Sequence, residues 1–130
     1  MITIPKKVEY SIIFIGYLAK KDVNTVSLAE VSKKLKLPYR FLGQLAMALK
    51  SAGIVESKEG KTGGYFLVEG WGQKTLYDLL EALGENKHMV KCLGNDEECA
   101  REAQCEIRKI WNKIENSFVK ELKLIKLSEI

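Results

Sequence analysis

Between Lys6 and Lys20 apolar side chains recur in two adjoining stripes at helical spacing, Val8-Ile12-Ile15-Ala19 and Tyr10-Phe14-Tyr17-Leu18. An apolar surface that wide predicts a helix largely buried among others. The pattern breaks over Asp22 to Thr25. Ser27-Leu28-Ala29-Glu30 then reads as a capping box, the Ser27 hydroxyl accepting from the amide near Glu30 and the Glu30 carboxylate reaching back to the Ser27 amide. The short second helix turns Leu28, Val31 and Leu35 inward and runs out near Lys36, because Pro38 disfavours helical geometry in the residue before it. Pro38 suits the first position of a third helix reaching Ala52, with Phe41, Leu42, Leu45 and Leu49 inward and Gly53 as its left-handed terminator.

After Gly53 the period shortens. Ile54–Ser57 and Tyr65–Val68 are β-favouring runs on either side of Lys58-Glu59-Gly60-Lys61-Thr62-Gly63-Gly64, whose glycines supply the positive backbone angles a hairpin needs. Thr75-Leu76-Tyr77-Asp78 opens a fourth helix with Leu76, Leu79, Leu80 and Leu83 buried and Gly84 at its end. Residues 85–100 lose periodicity and read as a loop. From about Arg101 to Lys126 a long helix sets Ile107, Ile110, Trp111, Ile114, Phe118, Leu122 and Ile125 on one face.

A helix-turn-helix followed at once by a glycine-rich hairpin is the order of a winged helix, with the third helix in a major groove and the hairpin over the adjacent backbone or minor groove. The expected fold is mainly α with a small β-hairpin wing: a winged helix-turn-helix domain over residues 1–84, then a cysteine-bearing loop and dimerisation helix over 85–130. The long apolar face could fold back on its own core. Pairing with the same helix of a second subunit in a twofold homodimer is the expectation, because the preceding domain is already closed.

A chain of 130 residues has room for one compact domain and a helical appendage, and no apolar run approaches membrane-spanning length. A soluble, cytoplasmic protein with no membrane partner is expected, since the N-terminus also lacks the pattern of a secretory leader. The net charge of +4 is uneven: residues 1–70 carry 11 basic and 6 acidic side chains, residues 71–130 carry 10 and 11. The basic half is the half with the winged-helix pattern, which points to double-stranded DNA. Tyr39, Arg40 and Gln44 fall on the early, outward part of the third helix, Arg40 and Gln44 being the base-reading candidates, and Lys58, Lys61 and Thr62 of the wing are candidates for phosphate. The plain alternative is a solvated helix face. The wing glycines match neither a P-loop nor a dinucleotide fingerprint, and a single histidine with no paired acid-base or nucleophile arrangement gives no ground for catalysis.

Cys92, Cys99 and Cys105 are the only cysteines and fall within fourteen residues. An odd count leaves no complete disulfide set, and clustered thiols in a reducing compartment more often hold metal or do redox chemistry than staple a fold. A metal or iron–sulfur centre is the reading. Zinc on the three thiols and His88, cluster-free redox thiols, and small buried hydrophobes are the alternatives.

Taken in order, Glu9-Tyr10, Ser27-Leu28-Ala29-Glu30, Leu42-Gly43-Gln44-Leu45, Ser51-Ala52-Gly53-Ile54-Val55, Gly63-Gly64-Tyr65, Thr75-Leu76-Tyr77-Asp78, the three cysteines and Trp111 resemble the Rrf family of IscR/NsrR-type regulators over nearly the whole chain. The resemblance implies a homodimeric bacterial winged-helix transcription regulator. It further implies a palindromic operator, and sensing of iron–sulfur supply, nitric oxide or redox state through a 2Fe-2S or 4Fe-4S cluster on the three cysteines. In IscR-type members a histidine three residues after the third cysteine completes the ligand shell. Here that position is Arg108, which cannot ligate iron. Members resembling the nitric-oxide sensors take an acid from the first helix of the partner subunit, and the matching position here is Glu9; His88 is the competing ligand. The chain also has Glu59 where IscR-like members carry a wing arginine and Gly43 where they carry a glutamate, so no operator sequence carries over.

Overall fold

The computed structural model describes residues 3–21, 25–85, 88–90, 93 and 105–130. Helix α1 (Lys6–Lys20) buries Val8, Phe14, Ile15 and Leu18 of its two predicted stripes, leaves Tyr10, Ile12 and Tyr17 half-buried, and exposes Ala19 in its last turn. Helix α2 (Leu28–Leu35) begins at Ser27, whose Oγ accepts from the Glu30 amide at 3.1 Å. The return arm of the predicted box is not made. Glu30 Oε1 instead accepts from Tyr17 Oη and Lys21 Nζ, both at 2.9 Å, because a charge-assisted bond to an ammonium outcompetes one to a neutral amide. Lys36 closes α2 in the left-handed conformation (φ 55°), and Ser32 Oγ ties the connection by donating to the Leu37 carbonyl at 2.6 Å.

Helix α3 (Tyr39–Ser51) buries Leu42, Leu45, Ala46 and Leu49, with Phe41 half-buried edge-on to Tyr10. Pro38 stands just outside α3 as its N-cap (ψ 122°) rather than in its first turn, and Gly53 (φ 72°) terminates it as predicted. Strands β1 (Val55–Lys58) and β2 (Gly64–Leu67) pair antiparallel, each displaced by one residue from the predicted run, with Val55 opposite Leu67 and Lys58 opposite Gly64. Val26 adds a bridge on the outer edge of β2, exchanging both backbone bonds with Tyr65 at 2.9 and 2.8 Å. That bridge explains Gly64, where a Cβ would lie 2.6 Å from the Val26 carbonyl. Gly60 takes a positive φ, but Gly63 is needed for space instead: a Cβ there would meet the Lys58 carbonyl oxygen at 2.2 Å.

Helix α4 (Leu76–Ala82) starts with both arms of the Thr75–Asp78 capping box in place. Helix α5 (Glu106–Leu124) is shorter than the predicted span, ending before a 3-10 turn over Leu127–Glu129. This turn packs beside another at Trp71–Gln73, and neither was legible in the pattern. Backbone bonds from Leu76 N–H to the Ile125 carbonyl (2.9 Å) and from Leu127 N–H to the Lys74 carbonyl (2.8 Å) stitch the end of the chain to the start of α4. Leu127 is buried in the same core as Phe14, Ile15, Val31, Leu42, Leu49, Ile54 and Leu79.

Candidate nucleic-acid interface and cysteine segment

The inward residues of α3 fix which of its side chains face water. Tyr39, Arg40, Gln44 and Met47 are exposed, so the predicted Tyr39, Arg40 and Gln44 lie on the outward face together with Met47, which the sequence reading passed over. Lys58, Lys61 and Thr62 are likewise exposed at the tip of the wing. The wing is held against the start of α2 by Thr25 Oγ1, which donates to the Thr62 carbonyl at 2.7 Å, and by the Val26 bridge. Between α2 and the wing lies an open cleft of about 420 Å³ lined by Thr25, Ser27, Glu30, Lys58, Lys61 and Thr62. Its lining brings two lysine side chains and the Glu30 carboxyl to the start of α2.

Two surface ion pairs adjoin this face. Lys21 and Glu30 link the end of α1 to α2, with the Lys21 ammonium also 5.1 Å from the centre of the Tyr17 ring. Hydrogen bonds from Lys21 first and Tyr17 next hold the Glu30 carboxyl below its usual range, and the bond to Glu30 raises the Lys21 ammonium. At the C-terminal end of α3, Lys50 bonds Glu56 (2.9 Å) and donates to Ser57 Oγ (2.7 Å) of β1, and the bond to Glu56 raises the Lys50 ammonium. Glu56 is lowered by the Ser57 amide and then by Lys50. The Lys50 contacts join the end of α3 to the first wing strand.

The cysteine segment lies between α4 and α5. Cys92 and Cys99 fall outside the described residues; Cys105, half-buried and a free thiol, is the N-cap of α5. Among the described residues no group of three or more His, Cys, Asp or Glu side chains is placed to hold a metal ion. Glu9 is on the first turn of α1, exposed and paired with Lys6 at 2.8 Å. His88 is held by Glu115, a carboxylate only 7% exposed on α5: Oε1 lies 2.8 Å from His88 Nδ1, and Oε2 accepts from the Met89 amide at 2.8 Å. No sequence signal pointed to Glu115, because its partners lie more than twenty residues away in a segment without periodicity. Lys7 donates to the Leu83 carbonyl (2.8 Å) and pairs with Glu85 (2.7 Å), fastening the start of α1 to the end of α4 where this segment departs.

Beyond Cys105 the predicted face of α5 divides. Ile107, Ile110, Trp111, Ile114, Phe118 and Ile125 are exposed, whereas Leu122 turns inward and is buried. Helix α5 packs on α4, and Leu122 is buried together with Glu115 two turns earlier.

A helix-turn-helix braced to a β wing, with a polar and basic outward face, defines a winged-helix transcription regulator. The chain belongs to the Rrf2 family: the family's sequence model, described as "Iron-dependent Transcriptional regulator", matches residues 4–130. It is 33% identical over 109 residues to an HTH-type transcriptional regulator of Haemophilus influenzae, covering 82% of this chain and 72% of that one. To the HTH-type transcriptional regulator IscR of Xenorhabdus nematophila it is 28% identical, over 81% of this chain and 63% of that one. The solved structure of CymR (YrzC), the global cysteine regulator of B. subtilis, superposes with a TM-score of 0.73 at 28% identity, covering 98% of this chain and 94% of that one. The family is one of transcription regulators, not enzymes. Among the described residues no helix is long and apolar enough to cross a membrane.

Proposed function

We propose that this regulator is a cytoplasmic homodimer that binds a palindromic duplex operator through α3 and the wing, its affinity set by an iron–sulfur cluster on Cys92, Cys99, Cys105 and Glu9 of the partner subunit. The observation that carries the proposal is the position of Cys105, which caps α5 two residues before the exposed apolar face begins at Ile107. The donor set suits such a group: three thiols within fourteen residues, and an exposed carboxylate paired with Lys6. Surface ion pairs of that kind contribute about 0–1 kcal/mol, so Glu9 exchanges Lys6 for a stronger ligand at little cost. His88, by contrast, has Nδ1 committed to Glu115 and would have to leave that contact or ligate through Nε2. Bound there, the cluster would supply an iron held by one hard oxygen among soft thiolates, open to oxidants, nitric oxide or loss of metal.

What the chain's own residues do is transmit the state of the thiols. A change in how Cys105 is held acts on the first turn of α5. Helix α5 packs on α4, α4 packs on α3, and a shared dimer helix makes the spacing of the two α3 helices depend on both subunits. The wing lysines add affinity for phosphate with little sequence information, and Arg40 and Gln44 read base edges.

The ligand assignment is tested by anaerobic purification with absorbance, iron and sulfide analysis of wild type beside Glu9→Ala, Cys99→Ala and His88→Ala. Wild type and His88→Ala should be brown and retain the cluster, whereas Cys99→Ala and Glu9→Ala should lose it on dilution. Retention by Glu9→Ala and loss by His88→Ala would move the fourth ligand to His88. A second reading, in which the thiols act without a cluster, is favoured by the likeness to the cysteine regulator CymR over 98% of this chain. Colourless protein whose DNA affinity changes on thiol alkylation would select it, and colourless protein containing zinc would select a structural metal site.

A further inference from the structure

The outward face of α3 carries more than the polar pair assigned above. At about 100° per residue, Met47 falls at the middle of the exposed arc, within roughly 20° of Arg40 and 40° of Gly43. It is 70% exposed, while Leu42, Leu45, Ala46 and Leu49 fill the opposite arc. Gly43 lies one turn before it on the same face. A glycine inside a helix is destabilising relative to alanine, and nothing in the fold requires this one: its φ is not positive, and a Cβ would meet no atom within 4 Å. Tyr39, Gly43 and Met47 therefore line up four residues apart as an aromatic ring, a bare stretch of backbone and a thioether. Arg40 and Gln44 run alongside.

Single exposed apolar side chains are ordinary on a protein surface. This one is paired with a glycine the fold does not need, at the middle of the exposed arc of α3. A thioether offers no strong hydrogen bond to a base, and the apolar feature that a major groove presents is the C5-methyl of thymine. Resting on the operator reading above, we infer that the Tyr39-Gly43-Met47 strip reads thymine: Gly43 lets the α3 backbone approach the groove floor, and Met47 covers the methyl groups of A·T pairs beside those contacted by Arg40 and Gln44. The half-site then contains thymines recognised by their methyls, a specificity set by the absence of a side chain at 43 as much as by its presence at 47.

The test uses the full-length protein. Operator sequences are selected from a random duplex library, and the affinity for the selected duplex is compared with that for duplexes carrying deoxyuridine at each thymine in turn. Loss of one contacted methyl should weaken wild-type binding about fourfold, as removal of one buried apolar carbon does. Met47→Ser should bind the deoxyuridine and thymine duplexes equally. Gly43→Ala should raise the thermal midpoint of the free protein yet weaken operator binding, a combination that a structural role for Gly43 would not give. A selected operator indifferent to methyl loss at every position overturns this inference alone. So does a Met47→Ser variant that changes oligomeric state, since Met47 would then face protein. A wild type that selects no sequence contradicts the operator reading as well.

Discussion

A carboxylate buried on a surface helix must have its oxygens satisfied, and Glu115 does so by gripping the His88 imidazole and the Met89 amide. The contact anchors the segment leading to Cys92 onto α5, beside the face proposed to pair the subunits. Glu115→Ala removes two bonds to an ionised acceptor and should cost about 2–3 kcal/mol in urea unfolding, with faster hydrogen exchange at the Met89 amide. Unchanged stability and unchanged exchange would mean the contact does not hold the segment. At this scale the sequence was legible where helical spacing alone decides which way a side chain faces, as for Arg40 and Gln44, both exposed on α3. It was silent where function depends on who meets whom. Glu30 is the clearest case: its spacing from Ser27 suggested a return capping bond, but Lys21 and Tyr17, brought in by α1, take the carboxylate instead.

The helices were readable because their stripes, caps and terminators are local: Gly53 and the Thr75–Asp78 box act within a few residues of where they stand. The third element of the wing was not, since a single Val26–Tyr65 bridge leaves no period in the sequence. Nor was the return of the chain end, where Leu127 reaches the core through backbone bonds to residues fifty positions earlier. The wing supports a prediction at its own scale. With Lys58 and Lys61 exposed on one hairpin tip, each replacement by alanine should weaken binding to all duplexes alike and reduce the slope of log affinity against log salt by about 0.9. Affinity titrations over a range of salt concentration check this. A loss confined to one operator sequence would mean that the lysine reads bases.

For the molecule as a whole, Ile107, Ile110, Trp111, Ile114 and Phe118 form an exposed apolar row along α5, and it starts two residues after a cysteine. Ile114→Glu with Phe118→Glu should leave helix content intact, yield a monomer by sedimentation and lower operator affinity at least a hundredfold, because a palindromic site then meets one reading head at a time. A double variant that remains dimeric would place the interface elsewhere. The account depends most on the link between thiols and DNA. Operator affinity is therefore to be measured on anaerobically purified protein before and after its iron is stripped by chelator, with iron and sulfide determined on the same samples. The account predicts brown, iron- and sulfide-containing protein whose affinity shifts at least tenfold when the metal leaves. Protein that is colourless and metal-free from the outset, or an affinity identical in both states, would contradict it.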